Sequence, residues 1–434
     1  MSQLHGWGRY PRTEAAIALP RSDRECAAAL AAGAPLIAHG LGRSYGDSAL
    51  APRVLGTRYL DRFAGFDADT GLLTCAAGVS LDAILCLFVA RGWFLPVTPG
   101  TRFVTIGGAI ASDVHGKNHH LDGTFCHHVR ALRLLLGNGE IVTASPGENS
   151  ELFHATCGGM GLTGVILAAS LQLRRIASSD ILQRTLKAPC LEAALEAFDA
   201  HADARYSVAW IDCLARGARL GRSLVMLGEH AADGPLAVQT RKPVPLPFDL
   251  PAAMLSRASI SAFNTLYYGR VPRTGVTRRV PFEQFFYPLD ALAHWNRMYG
   301  KAGLLQYQLV LPKAAGLAGL HAVLERIALA GFGSFLAVLK VFGPANANLL
   351  SFPMAGYTLA LDFRVAPAVF ELLEVLDRIV LHYGGRLYLA KDARMGAATF
   401  RACYPRWPEF EAVRARWHAH GRFASLQSQR LGLS

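Results

Sequence analysis

No hydrophobic run in this sequence is long enough to cross a bilayer. The most apolar helix-like stretch, Leu81 to Ala90, is interrupted by Asp82 and stops at Arg91, far short of the roughly 20 residues a membrane span needs. Any membrane contact is therefore expected to be peripheral. The amino end also lacks an apolar run before a cleavage-like site, which argues against a standard signal peptide and predicts a cytoplasmic protein. CxxC spacing is missing too. The eight cysteines (Cys26, Cys75, Cys86, Cys126, Cys157, Cys190, Cys213 and Cys403) are scattered, so they read as small buried hydrophobes and not as a disulfide frame. His119-His120 and His127-His128 are adjacent pairs; neighbours on a helix or strand do not easily converge on one ion, and no metal is expected. Charged residues are scarce, 18% against 52% hydrophobic, which is globular composition, and 434 residues exceed what one core usually serves. Two domains are expected.

The charge that is present is unbalanced, at a formal +12. Residues 214–280 hold ten basic side chains (Arg216, Arg219, Arg222, Arg241, Lys242, Arg257, Arg270, Arg273, Arg278 and Arg279) against Glu229, Asp233 and Asp249, so seven of the twelve net charges lie there. Pro243, Pro245, Pro247 and Pro251 predict that much of this region is loop. Basic loops near apolar residues suit an anionic lipid surface, and a solvated loop without a partner is the plainer alternative. No aromatic-interleaved RNA motif or recognition helix accompanies the charge, so nucleic acid is not expected as a partner.

Glycine, by contrast, is abundant and clustered. Val104, Thr105 and Ile106 run into Gly107-Gly108, followed by Ala109-Ile110-Ala111 and by His115, Lys117, His119 and His120. Paired glycines let main-chain N–H groups close on a flat or anionic ligand, and a helix starting after them would favour phosphate. Upstream, Ser22 or Asp23 caps an expected helix over Glu25 to Ala32, and Leu36-Ile37-Ala38 reads as a strand. That strand empties into Gly40-Leu41-Gly42-Arg43-Ser44-Tyr45-Gly46-Asp47, where backbone donors, a hydroxyl and a guanidinium can converge on a pyrophosphate. Leu72 to Val79 reads as a strand, and Ser80 caps a helix through Ala90 that Gly92 stops. A third cluster contains GxGxxG at 159–164, but here the helix-like Glu151–Thr156 precedes it and the strand-like Val165–Arg174 follows. The order is the reverse of a Rossmann fingerprint. Three glycine loops beside strands suggest one extended dinucleotide between two small α/β lobes.

Gly40 to Asp47, Pro99-Gly100-Thr101, Thr105 to Ala111, His115 to His120 and Gly161 to Gly164 resemble the FAD-binding half of the vanillyl-alcohol-oxidase (PCMH-type) flavoproteins. Within that superfamily the resemblance is to the oxidase half of decaprenylphosphoryl-β-D-ribose epimerases, and it continues through Tyr206–Trp210, Tyr287–Asp290, Trp295–Arg297, Leu305–Gln308, Lys340–Pro344, Ser351–Pro353 and Gly385–Asp392. It implies an α+β fold in which a two-lobed FAD-binding domain, residues 1–178 and 386–434, carries an inserted substrate domain at 179–385, built on an antiparallel sheet covered by helices. Periodicity agrees: 206–212, 304–311, 334–342 and 357–364 read as strands, Gly316–Ala330 and Pro367–Tyr383 as helices.

The resemblance also assigns residues. Ala38, His39, Gly40, Leu41, Gly42, Arg43, Ser44, Tyr45, Gly46, Asp47, Ser48, Gly100, Thr105, Ile106, Gly107, Gly108, His115, Gly116, Lys117, Asn118, Ile166 and Tyr388 match FAD-contacting positions; for Ile166 and Tyr388 the resemblance is the only ground. Several relatives attach the flavin through a histidine immediately before the serine of the first loop. Here Arg43 stands there, so the FAD is expected to be noncovalent. Lys391 matches the family's essential lysine, either as general base or as fixed cation beside reduced flavin, with Tyr45 and His115 beside it as catalytic candidates. Lys117, Gln308, Lys340, Thr358, Ala360 and Lys391 match substrate positions. Two of these depart from the family, which carries asparagine at the position of Thr358 and, at that of Ala360, a cysteine that nitroaromatic inhibitors trap covalently after reduction by the flavin.

The implied reaction is oxidation of the 2-hydroxyl of a polyprenylphosphoryl-β-D-ribofuranose to the 2-keto sugar, the first half of epimerisation to an arabinose donor. A separate NAD(P)H-dependent reductase would complete it, and a lipid-linked sugar phosphate would bring the protein to the inner membrane face. Two other readings stay open: an aldonolactone or other sugar-alcohol oxidase, and a non-catalytic flavin-binding scaffold.

Overall fold

The computed structural model describes residues 2–239 and 242–433, so Arg241 of the basic stretch lies outside the described residues. Two small sheets and a large one order the chain. The first has the spatial order Ser2–His5, Arg12–Ala18, Arg53–Gly56, Ile37–His39; its outer pair is antiparallel and the other pairings are parallel. The connecting helix Asp23–Ala31 starts where Ser22 accepts the Glu25 amide, and Asp23 and Glu25 in its first turn complement the helix dipole. The second sheet is antiparallel, in the order Phe63–Phe66, Leu72–Ala76, Val165–Gln172, Val129–Leu135, Ile141–Ala144. Leu81, Ile84, Leu85 and Phe88 form the i, i+3, i+4, i+7 stripe of the helix Leu81–Phe88, which packs into the same core as Leu73, Leu132 and Leu171.

The central glycine stretch differs from the sequence reading in one respect. The helix starts at Ile106, so Gly107 and Gly108 sit inside its first turn, not ahead of it. Thr105 is the cap, its hydroxyl accepting the Gly108 amide at 3.1 Å, and that capping bond overrides the strand preference of Val104, Thr105 and Ile106. The third cluster keeps the expected order, helix Ser150–Thr156 before strand Val165–Gln172.

The large sheet has eight antiparallel strands: Val276–Pro281, Asp180–Ala188, Ser223–His230, Tyr206–Ile211, Ala337–Phe342, Gly356–Arg364, Leu304–Pro312 and Arg386–Leu387. Helices Leu191–Ala200, Gly316–Ala330 and Pro367–His382 share one core with Leu309, Leu311, Leu339, Leu359 and Leu361. Because side chains alternate along a strand, the intervening residues face away from that core. Cross-strand register puts Gln306 opposite Asp362, Gln308 opposite Ala360 and Lys340 opposite Thr358, so these six share the second face.

The basic stretch is less irregular than its prolines suggest. The described residues between 231 and 251 are irregular apart from Val244–Pro245, but Arg257–Gly269 is a helix capped by Ser256 and Val276–Pro281 is an edge strand. The edge strand pairs with Asp180–Ala188 on one side only, which leaves Arg278 and Arg279 in solvent and hides its strand character from any burial pattern. Among the described residues no helix is long and apolar enough to cross a membrane.

Candidate active site

The polar face of the large sheet is met by the segment after the central helix. His115 is buried, and its ring packs against Phe342, Phe352 and Tyr388, with centroids 4.7, 5.9 and 5.5 Å away. The amide nitrogen of Gln308 lies 2.9 Å from His115 Nε2 and 3.2 Å from Thr358 Oγ1, whose own hydroxyl donates to the Leu309 carbonyl. An amide nitrogen only donates, so His115 Nε2 accepts and the ring proton sits on Nδ1. Nδ1 is 3.2 Å from Lys340 Nζ. The amine must then be neutral and accept the hydrogen bond that Nδ1–H donates. Burial, with Lys391 nearby, pulls the Lys340 amine down to about 7. The same network keeps His115 neutral: burial first, then Lys340, hold its pKa well below 6.5.

Lys391 stands on the other side of this face. Its Nζ lies 4.1 Å from the centroid of the buried Tyr45 ring. Burial lowers the amine to about 8 against the opposing pull of Asp362. Asp362 is fully buried; burial raises it to about 7, while the amide of Gln306, donating at 2.6 Å, and Lys391 act to lower it. Its second oxygen has no hydrogen-bond partner among the described residues. Lys117 approaches from the aromatic wall, donating to the Phe285 carbonyl and lying 4.3 Å from that residue's ring centroid; burial and Lys340 lower it to about 7. Three amines thus crowd one pocket with little carboxylate to balance them, an arrangement that waits for an anionic or proton-donating ligand.

The glycine loops border this pocket. Several of their glycines are dictated by loop-to-loop contact: a Cβ on Gly46 would collide with the Asp392 carbonyl, and one on Gly107 would come within 3.0 Å of Ala77. Gly100 differs, since a Cβ there would meet no atom within 4 Å. The Arg43 guanidinium is not free in its loop. It lies over Trp7 at 4.2 Å and Phe103 at 5.5 Å, and its Nε is buried without a hydrogen-bond partner among the described residues. An open glycine turn beside an orphaned cationic donor fits a flavin dinucleotide. Ala38 and His39 end their strand, and His39 Nδ1 donates to the Ala49 carbonyl at 2.9 Å. Leu41 is exposed; Ser48 is buried, and the Asp47 carboxylate accepts from Arg430 at 2.7 Å, so the last helix, Leu426–Leu431, clamps the first loop. Asn118 is buried, Ile166 lies in the second sheet, and the Tyr388 hydroxyl donates to the Ser112 carbonyl at 2.8 Å.

Sequence reasoning passed over Asp362 and Gln306. Their signal was available: in Leu304–Pro312 and Gly356–Arg364 the polar residues recur at every second place within otherwise apolar runs, the mark of a sheet with a polar interior face.

Residues 14–145 match the family model described as FAD binding domain. The chain is 39% identical, over 99% of its length and 97% of the other, to decaprenylphosphoryl-β-D-ribose oxidase of Mycolicibacterium smegmatis. It is 33% identical, over 82% of its length and all of the other, to an uncharacterised protein in the mprA 5′ region of Streptomyces coelicolor. A shorter match, 30% over 25% of the chain and 25% of the other, is to D-lactate dehydrogenase of Archaeoglobus fulgidus. With a flavin-sized set of loops set against a buried amine cluster, and a near full-length likeness to an oxidase, this chain is an FAD-dependent oxidoreductase and belongs to the decaprenylphosphoryl-β-D-ribose oxidase family.

Proposed function

We propose that the protein oxidises the 2-hydroxyl of a polyprenylphosphoryl-β-D-ribofuranose to the 2-keto sugar. The observation that carries this reading is the buried polar sheet face, where His115, Gln308, Lys340 and Thr358 form one hydrogen-bonded row beside Lys391 and the glycine loops. When bound, FAD supplies the hydride acceptor; the residues of Gly40 to Ser48, Gly100, Thr105 to Gly108, His115 to Asn118, Ile166 and Tyr388 would hold it, noncovalently given Arg43 at the attachment position. Lys391 receives the hydroxyl proton, a task suited to an amine lowered to about 8. Gln308 and Thr358 orient the sugar through hydrogen bonds, and Tyr45 closes the site from water. Lys117 and Lys340 lie where a phosphoryl anion would restore their protonation, since each is lowered by burial and by a like charge.

Residues 179–385 form the substrate domain in this reading, inserted into an FAD domain of 1–178 and 386–434. The lipid-linked substrate accounts for peripheral membrane contact by the 214–280 region, and the keto product calls for a separate NAD(P)H-dependent reductase. Thr358, where the resemblance implies asparagine, changes the pocket's polarity and points to a different sugar or lipid, with the soluble sugar or lactone as the competing substrate; Ala360 in place of cysteine leaves the oxidase reading standing, since hydride transfer needs no thiol. Anaerobic flavin reduction decides between them. Lipid-linked ribose should bleach an FAD that acid releases from the protein, while free sugars and aldonolactones should not; the opposite ranking would sink the lipid reading.

A further inference from the structure

Asn118 carries an amide whose orientation is forced. Its nitrogen donates to the Pro96 carbonyl at 2.8 Å and to Asp122 Oδ2 at 2.7 Å, and a flipped amide would set its oxygen against two acceptors. Both amide hydrogens are consumed. Only Oδ1 remains to serve a ligand, and it lies against Gly116, where a Cβ would come within 2.5 Å of it. The Pro96 carbonyl and Asp122, four positions on, impose this orientation together, and only Asp122 does so with a side chain.

Asp122 is held from both sides of the molecule. Arg174, at the end of the cofactor-side chain, donates to Oδ1 at 2.6 Å; Arg205, which leads into the large-sheet strand Tyr206–Ile211, donates to Oδ1 and Oδ2 at 2.9 and 3.0 Å. Burial opposes the Asp122 charge, but Arg174, Asn118 and Arg205 outweigh it and hold the carboxyl below its usual range. Two residues beyond Arg205, the Ser207 amide donates to the Lys117 carbonyl at 2.9 Å. One carboxylate and one neighbouring backbone bond therefore fix consecutive residues, Lys117 and Asn118, against the large sheet.

We propose that Asp122 is a positioning residue for cofactor binding: by taking one of the two Asn118 amide hydrogens, the Pro96 carbonyl taking the other, and bracing that contact on Arg174 and Arg205, it leaves Asn118 Oδ1 as a fixed acceptor for FAD. This rests on the cofactor role proposed above for Asn118. Asp122→Asn keeps the size but removes the charge: its single oxygen is drawn to Arg174 and Arg205, its amide nitrogen then faces the Asn118 nitrogen, and Asn118 keeps only one of the two acceptors that held it, the Pro96 carbonyl.

The test is titration of apoprotein with FAD, read by flavin fluorescence, on Asp122→Asn, Asn118→Ala and the double variant. Each single change is expected to weaken FAD at least about tenfold, as loss of a charge-assisted buried hydrogen bond does. The double variant should be no more than about twofold worse than Asn118→Ala, because the two act through one contact. An unchanged affinity in Asp122→Asn, or additive losses in the double variant, overturns the proposal. If Asp122→Asn does not fold, Arg205→Gln takes its place, since Arg205 is 39% exposed at a surface cleft. It should weaken FAD about threefold in the native background and not in Asn118→Ala; equal losses in both overturn the proposal. A native chain that binds no FAD would refute the flavin reading itself and is a separate outcome.

Discussion

Lys391 has a ring on one side and a buried carboxylate on the other, and burial and that carboxylate pull its proton in opposite directions. Burial disfavours the ammonium and Asp362 favours it, leaving the amine at about 8 instead of 10.5. The neutral form grows as pH rises through that value, so a rate that needs Lys391 as base rises with it. Removing the Asp362 charge takes away a pull that raises the amine, so Asp362→Asn should move the rising limb of the kcat/KM profile to lower pH; a limb that stays put or moves up would detach Asp362 from Lys391. Lys391→Ala should keep FAD, because the backbone of the glycine loops supplies most of the proposed cofactor contacts, and slow substrate-driven flavin reduction by at least ~100-fold. Stopped-flow reduction at near-native speed would remove Lys391 from the chemistry.

The strand Gly356–Arg364 carries the two positions, Thr358 and Ala360, at which the resemblance implies a departure, and its register makes that departure testable. Ala360 lies opposite Gln308 and Val338, on the face that also bears Thr358 and Asp362. A thiol introduced there would stand in the pocket beside Gln308, whereas the native methyl offers no nucleophile. Nitrobenzothiazinone-type compounds should therefore leave the native mass unchanged and add to Ala360→Cys during turnover. Intact-mass spectrometry reads both, and an unmodified cysteine variant that still cycles its flavin would remove this strand from the pocket. The strand was legible in the sequence because its apolar residues alternate, and Gly316–Ala330 and Pro367–His382 were legible because their apolar residues recur at helical spacing. Three things were hidden. Val104, Thr105 and Ile106 looked extended because the Thr105 cap is a single hydroxyl contact; Val276–Pro281 looked like loop because it is paired on one side only and its first four residues are exposed; and the neighbourhood of Lys340, Lys391 and Asp362 depends on pairings across long stretches of chain, which local patterns do not encode.

Across the whole molecule the basic excess divides into an interior part and an exterior part, with different consequences. Inside, Lys117 and Lys340 are lowered to about 7 and Lys391 to about 8, against an ordinary 10.5. The unfolded chain keeps these protons up to about 10.5 while the folded chain releases them nearer 7 or 8, so over that window the unfolded state binds more protons and stability rises with pH. Lys340→Met should raise the melting temperature of the apoprotein at pH 7 and flatten its rise toward pH 9; an unchanged slope would mean that Lys340 keeps its charge in the fold. Outside, Val244, Phe248, Met254 and Leu266 are 65, 63, 54 and 75% exposed, and Arg257, Arg270, Arg273 and Arg278 are exposed in the same part of the chain. Apolar side chains cost free energy in water and gain it in an interfacial layer, and each arginine near an anionic surface adds about 1 kcal/mol of attraction. The proposed membrane contact should then require both terms. Sedimentation with phosphatidylglycerol vesicles should carry the protein down at low salt, phosphatidylcholine vesicles should not, and Phe248→Asp with Leu266→Asp should abolish the anionic binding while leaving FAD content intact. Binding that survives both aspartates, or that ignores lipid charge, would place the lipid contact on another surface of the molecule.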